Sequence, residues 1–175
     1  MALQDILIHM DNTPQCNTRL DVAVDLAKRH GARLTGLYVL TSTAYASRNI
    51  AANTQTEAAE AQFRDRTVAA AIPADWQRVD WRVVGVTVGE IITRYAYYSD
   101  LVVVGQNPAG TTDRMATDGI PERVILGSGR PVMIVPYAGS FSGRGQRIMV
   151  AWKAGRESTR ALNDALPLLQ AAREV

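Results

Sequence analysis

The sequence predicts an α/β protein built on an open, five-stranded parallel sheet with helices on both faces. Three observations carry that reading. Leu101-Val102-Val103-Val104 is an unbroken apolar run too short for a helix, which suits a strand buried on both faces. Strand-like runs alternate with stretches of helical periodicity, the pattern of βαβ units joined by right-handed crossovers. Gly105 follows the apolar run at once and opens a loop of mostly small and polar residues, ahead of a helix signal at Pro121-Glu122-Arg123-Val124-Ile125. A loop so placed lies at the carboxyl edge of the sheet, where open α/β sheets take ligands.

Asp5 to Met10 reads as the first strand and ends at Asp11. Asn12-Thr13-Pro14 starts a helix, with Pro14 at the first helical position, where a missing N–H costs nothing. Leu20, Ala23, Val24 and Ala27 form its apolar stripe, and Gly31 ends it. Arg33 to Val39 is the second strand, Thr41 to Gln55 a polar loop, and Glu57 to Ile72 an alanine-rich helix anchored by Phe63 and Val68. Val79 to Gly85 reads as the third strand, poor enough in apolar residues to be an edge. Thr87-Val88-Gly89-Glu90 is a capping box, in which a hydroxyl and a carboxylate each accept from the other residue's backbone N–H. It opens a helix through Tyr98. Pro131 to Val135 is the fifth strand, at the second sheet edge.

Residues 1–138 therefore make one domain, and 139–146 are a linker by composition. Beyond it the pattern restarts. Ile148-Met149-Val150-Ala151-Trp152-Lys153 mirrors Ile6-Leu7-Ile8-His9-Met10-Asp11 as a strand. Leu162, Ala165, Leu166 and Leu169 fall where the first helix has Leu20, Ala23, Val24 and Ala27. Residues 147–175 read as the first βα unit of a second domain, so the natural chain is expected to continue past Val175. Pro167 is expected to kink that last helix.

Bulk properties exclude several function classes. Lys and Arg number 19 against 17 acids, with the signs interspersed, which leaves no basic face for nucleic acid and no polybasic membrane patch. No apolar run approaches a membrane span, and no basic-then-apolar leader is present. Cys16 is the only cysteine, so there is no disulfide framework and no cysteine metal cluster. A cytoplasmic protein is expected. Cys16 sits in a first helical turn, where the helix dipole can lower a thiol pKa, but a small packing residue is the simpler reading. His9 falls inside a central strand as a core residue, and with only His30 besides it no metal site is expected. No Ser/His/Asp or paired-carboxylate constellation is found, so the expectation is a binding module and not an enzyme. A receiver domain would need an acidic pair after the first strand and an Asp ending the third. Asn12 follows Asp11, and Gly85 ends the third strand, so that class is set aside.

The order and spacing of DILIHMD with its helix, LTGLYV, DLVVVG and the ERV–PVMIVP ending resemble the universal stress protein family, over residues 5–136. Residues 147–175 resemble the opening of a second such domain. The resemblance implies strand order 3-2-1-4-5 in a nucleotide-binding-like fold, a dimer, and in some members ATP or AMP at the strand edge. It also implies tandem forms. Dimer or tandem pairing is expected through Val132–Val135, because an open apolar edge strand is an aggregation hazard.

For a nucleotide, the resemblance implies contacts from Asp11, Val39, Gly105, Gly110, Thr111, Thr112 and Gly119. Asp11 reads equally as a turn-former ahead of its helix. ATP-binding members carry glycine, two residues, glycine, nine residues, then glycine with serine or threonine. Gly105 matches the first glycine; Pro108 falls on the second, and Asp118-Gly119 on the final pair. Phosphates need bare N–H groups, and Pro108 removes one. Asp118 reads as an N-cap carboxylate in the place of the anion. The expectation is a stress-response regulatory protein with weak or absent ATP binding, acting through dimer or tandem contacts. The alternative is an ATP- or AMP-binding sensor, or a weak ATPase, using the same edge.

Overall fold

The computed structural model describes residues 3–40, 50–80, 86–106, 119–139, 141 and 145–175, with side chains in the helix from Ile50 described from residue 54 onward. Pro108, Gly110, Thr111, Thr112 and Asp118, on which several expectations rest, lie outside the described residues.

Five strands form one sheet: β1 Asp5–Met10, β2 Arg33–Leu40, β3 Ala74–Asp80, β4 Leu101–Gly105 and β5 Val132–Val135. Their order is β3-β2-β1-β4-β5 and every pairing is parallel, as expected. The helices are α1 Gln15–His30, α2 Ile50–Ala69, α3 Val88–Ala96, α4 Ile120–Gly127 and α5 Arg156–Ala171.

Side chains of a strand alternate between faces, and here the alternation builds two cores. Ile6, Ile8, Met10, Leu34, Leu101 and Val103 pack with Cys16, Leu20 and Ala23 of α1 and Phe63 of α2. Leu7, Leu37, Val39, Val102 and Val104 pack on the other face, with Ile91, Ile92 and Ala96 of α3 and Val124 of α4. β1 sits between β2 and β4, so its residues from Ile6 to His9 are buried on both faces. The Asp100 carboxylate ties the start of this strand down by accepting from the backbone N–H groups of Gln4 (2.8 Å) and Asp5 (3.1 Å).

Gly36 marks the closest approach of the α2 layer. A Cβ there would meet Trp76 Cε3 at 2.8 Å and Phe63 Cε2 at 2.9 Å. The Phe63 and Trp76 rings pack with centroids 5.4 Å apart, over a backbone that only glycine leaves bare.

The ends of α1 and α3 follow their signals. Gly31 ends α1 in the left-handed region at φ 65°, with its N–H donating to the Ala27 carbonyl. Thr87 and Glu90 form the reciprocal capping box of α3. Elsewhere the boundaries move. β3 covers Ala74–Asp80, five residues ahead of the expected Val79 start, because Trp76 and Val79 supply the contacts of an edge strand in an otherwise polar run. Residues 81–85 of the expected strand lie outside the described residues. α2 begins at Ile50, inside the expected Thr41–Gln55 loop, and ends at Ala69. Phe63 anchors it, but Val68 is 77% exposed and anchors nothing. α3 stops at Ala96, short of Tyr98, which is exposed.

The tail departs furthest from expectation. Ile148 to Lys153 forms no strand; at its start a parallel bridge joins Arg147 to Glu174 and the Ile148 N–H donates to the Glu174 carbonyl at 2.9 Å. The expected helix is present as α5, with Pro167 inside it, but none of its residues is buried. Leu168 alone of α5 joins the packing around the α1–α2 core.

Candidate functional site

Sheet register brings three of the sequence-predicted residues to one edge. Met10 pairs with Tyr38, so Asp11 and Val39 leave neighbouring strands at the same level. On the other side Ile8 pairs with Val103, and the same register carried forward sets Met10 level with Gly105. Gly119 stands at the N-cap of α4 with φ 71°, a left-handed conformation that favours glycine. It holds the position expected of Asp118, and α4 has no side-chain cap.

Asp11 is spoken for by its own chain. Its Oδ1 accepts from the Thr13 N–H (2.9 Å) and the Thr13 hydroxyl (2.5 Å), a turn closed on itself. Its Oδ2 accepts from Arg19 Nη2 at 2.7 Å. Burial pushes the Asp11 carboxyl up, but the Arg19 guanidinium, His9 and the Thr13 hydrogen bonds outweigh it and hold it below its ordinary range.

Arg19 was not anticipated. It belongs to α1 yet is only 3% exposed, in a helix whose other buried residues are apolar. Its Nε donates to the His9 carbonyl at 2.7 Å. Its Nη1 lies so close over Gly105 that a Cβ on that glycine would collide with it. Gly105 thus has a local reason to be glycine, which is room for a guanidinium. A signal was present in the sequence: Arg19 lies three residues after Cys16 and four before Ala23, inside the apolar stripe.

The neighbouring groups are equally fixed. His9 is buried, its Nδ1 lies 3.9 Å from Asp11 Oδ2, and burial lowers its pKa to about 4, with Arg19 adding to the shift and Asp11 opposing it. Burial raises the Cys16 thiol, which suits a small packing residue and not a reactive thiol. Asn12 Nδ2 donates to the Tyr38 hydroxyl at 2.5 Å, closing the β2 side of the edge. Among the described residues, no three His, Cys, Asp or Glu side chains stand close enough to hold a metal ion.

A model of the universal stress protein family matches residues 3–136. The chain belongs to that family. A sequence comparison with curated proteins returns no match. Solved universal stress proteins share the fold. One from Archaeoglobus fulgidus DSM 4304 is 20% identical with a TM-score of 0.68, covering 95% of this chain and 61% of that one. Another from Archaeoglobus fulgidus, in complex with dAMP, is 14% identical with a TM-score of 0.56, over 77% of this chain and 98% of that one. A family protein from Arabidopsis thaliana with AMP bound is 10% identical with a TM-score of 0.52, over 76% and 91%. The edge that carries Asp11, Val39 and Gly105 belongs to the five-stranded parallel sheet. No helix among the described residues is long and apolar enough to cross a membrane.

Proposed function

We propose that this universal stress protein is a non-enzymatic, cytoplasmic regulatory module that acts by pairing with a like domain. The observation that carries the reading is the apolar surface left uncovered at the β5 edge and in the tail. β5 is an edge strand with Ile134 40% exposed, Met149 and Trp152 of the tail are exposed, and no residue of α5 is fully buried. An open strand edge offers unpaired N–H and C=O groups, and a second edge satisfies them best. The partner domain is either a second copy of this chain or a tandem unit of which residues 147–175 are the front. The fold likeness that runs over 95% of this chain supports the tandem form. The groups at the strand edge support a non-enzymatic role. His9 is a buried, weakly basic imidazole and Cys16 a buried thiol, so neither is ready as base or nucleophile.

At this edge adenine nucleotide, ATP or AMP, is a weak ligand. Asp11, Val39, Gly105 and Gly119, with Gly110, Thr111 and Thr112 of the loop, are the residues that would meet it. The relatives solved with dAMP and AMP support an adenine nucleotide as the ligand. Light scattering tests the pairing: Met133→Lys and Ile134→Lys should lower the assembly mass, and an unchanged mass places the interface elsewhere. The second reading, a nucleotide sensor, is favoured by the convergence of Asp11, Val39 and Gly105. Micromolar ATP binding by the unmodified chain in titration calorimetry would put it first.

A further inference from the structure

We propose that Arg19 is the specificity-determining residue of the strand edge, a latch that takes Asp11 out of reach of a ribose. The inference rests on the reading of that edge as a weak adenine-nucleotide site. A ribose diol is recognised by a carboxylate with free lone pairs. Thr13 fills both acceptor sites of Asp11 Oδ1 and Arg19 one of the two on Oδ2, so a single site is left where a diol needs two. The Arg19 guanidinium is anchored at a second point by the His9 carbonyl and covers the Gly105 backbone besides. Three different parts of one fork are thus set against β1, the turn after it, and β4.

Burial makes the latch hard to open. A guanidinium 3% exposed cannot swing away from Asp11 without giving up its hydrogen bonds to the His9 carbonyl and to Asp11 Oδ2. A ligand must supply that loss before it gains anything. The chain contains its own comparison. In the tail unit Lys153 stands at the position of Asp11, and Ala161 at the position of Arg19. Where the acid is gone, the arginine is gone too, as expected of a residue present for that acid's sake.

The latch acts on the ribose, whereas the loop residues Pro108 and Asp118 concern phosphate, so a ligand without phosphate separates the two. Adenosine is therefore the probe, titrated against the full chain and the Arg19→Met variant, which keeps the aliphatic stem and removes the fork. Adenosine affinity should rise at least about tenfold in Arg19→Met, and the rise should vanish for 2′,3′-dideoxyadenosine. An equal or lower affinity for adenosine overturns the proposal, as does the same gain with the dideoxy analogue. Should Arg19→Met not fold, the unmodified chain still decides. The Arg19 Nε–H resonance is followed by NMR during an AMP titration, with the Val39 amide as a report of binding. Binding that leaves Nε–H unmoved overturns the latch; no binding, or binding that shifts both signals, supports it. Tight ATP binding by the unmodified chain would instead count against the weak-site reading.

Discussion

Helices α1 and α5 are both 16 residues long and carry apolar side chains at matching positions, yet α1 buries seven residues and α5 buries none. The difference lies in what precedes each. β1 is flanked by β2 and β4, and α1 lies across the sheet they form. Residues 148–153 have the same apolar pattern without a sheet to join, and they form no strand. A helical period is enough to make the helix, because its hydrogen bonds are internal. Strand and burial both wait for neighbours. The polar ends differ as well: Asp11 with Arg19 in the first unit, Lys153 with Ala161 in the second.

Equivalent substitutions in the two units give the largest contrast. Leu20 is fully buried, so Leu20→Ala should cost about 3 kcal/mol by urea denaturation, within the usual range for a core leucine. Leu162→Ala, at the matching position, should cost under about 1 kcal/mol. Equal losses would mean that the tail is integrated into the core.

The next effect is one of pH, and only the first unit has it, since Ala151 replaces His9 in the second. His9 has a folded pKa near 4 against 6.5, so the unfolded chain takes up its proton first as pH falls. Stability is complete above pH 6.5 and is lost as pH drops from there to about 4. The loss amounts to about 3 kcal/mol. Asp11, held below its ordinary range, adds a further loss at lower pH. In His9→Asn the urea midpoint should be flatter between pH 6.5 and 4; an unchanged slope would assign the pH dependence to other groups.

The smallest effect is expected from removing the tail altogether. Leu168 adds contacts at the margin of the α1–α2 core, so deleting residues 145–175 should shift stability by roughly 1 kcal/mol. A loss several times larger, measured by thermal unfolding, would erase the distinction between the units.

The sequence was most legible where a local rule had no competitor. The β4 run, the Thr87–Glu90 capping box and the Gly31 stop all stand where their residues announce them. β3 was misplaced because an edge strand needs little apolar content, and Trp76 with Val79 is a faint pattern beside the Trp81–Val86 run. Val68 looked like an anchor because alanine-rich α2 has few large residues from which to judge its buried face. At the site, Asp11, Val39 and Gly105 could be placed from strand ends alone. Arg19 could not, because a charged residue within an apolar stripe is normally read as snorkelling to solvent. Its partners, a carbonyl of β1 and the turn beyond, become visible only when α1 is laid on the sheet.

That clasp also has a place in time. Arg19 is ten residues from His9 and eight from Asp11 along the chain, whereas Asp100, just ahead of β4, is 96 residues from the Gln4 amide it holds. Chain closure is cheaper and faster over short separations, so the first βα unit can set its clasp while β4 is still remote. Gly105 then docks onto an edge already fastened. Along that order of assembly, the strand edge is completed with Asp11 already paired to Thr13 and Arg19.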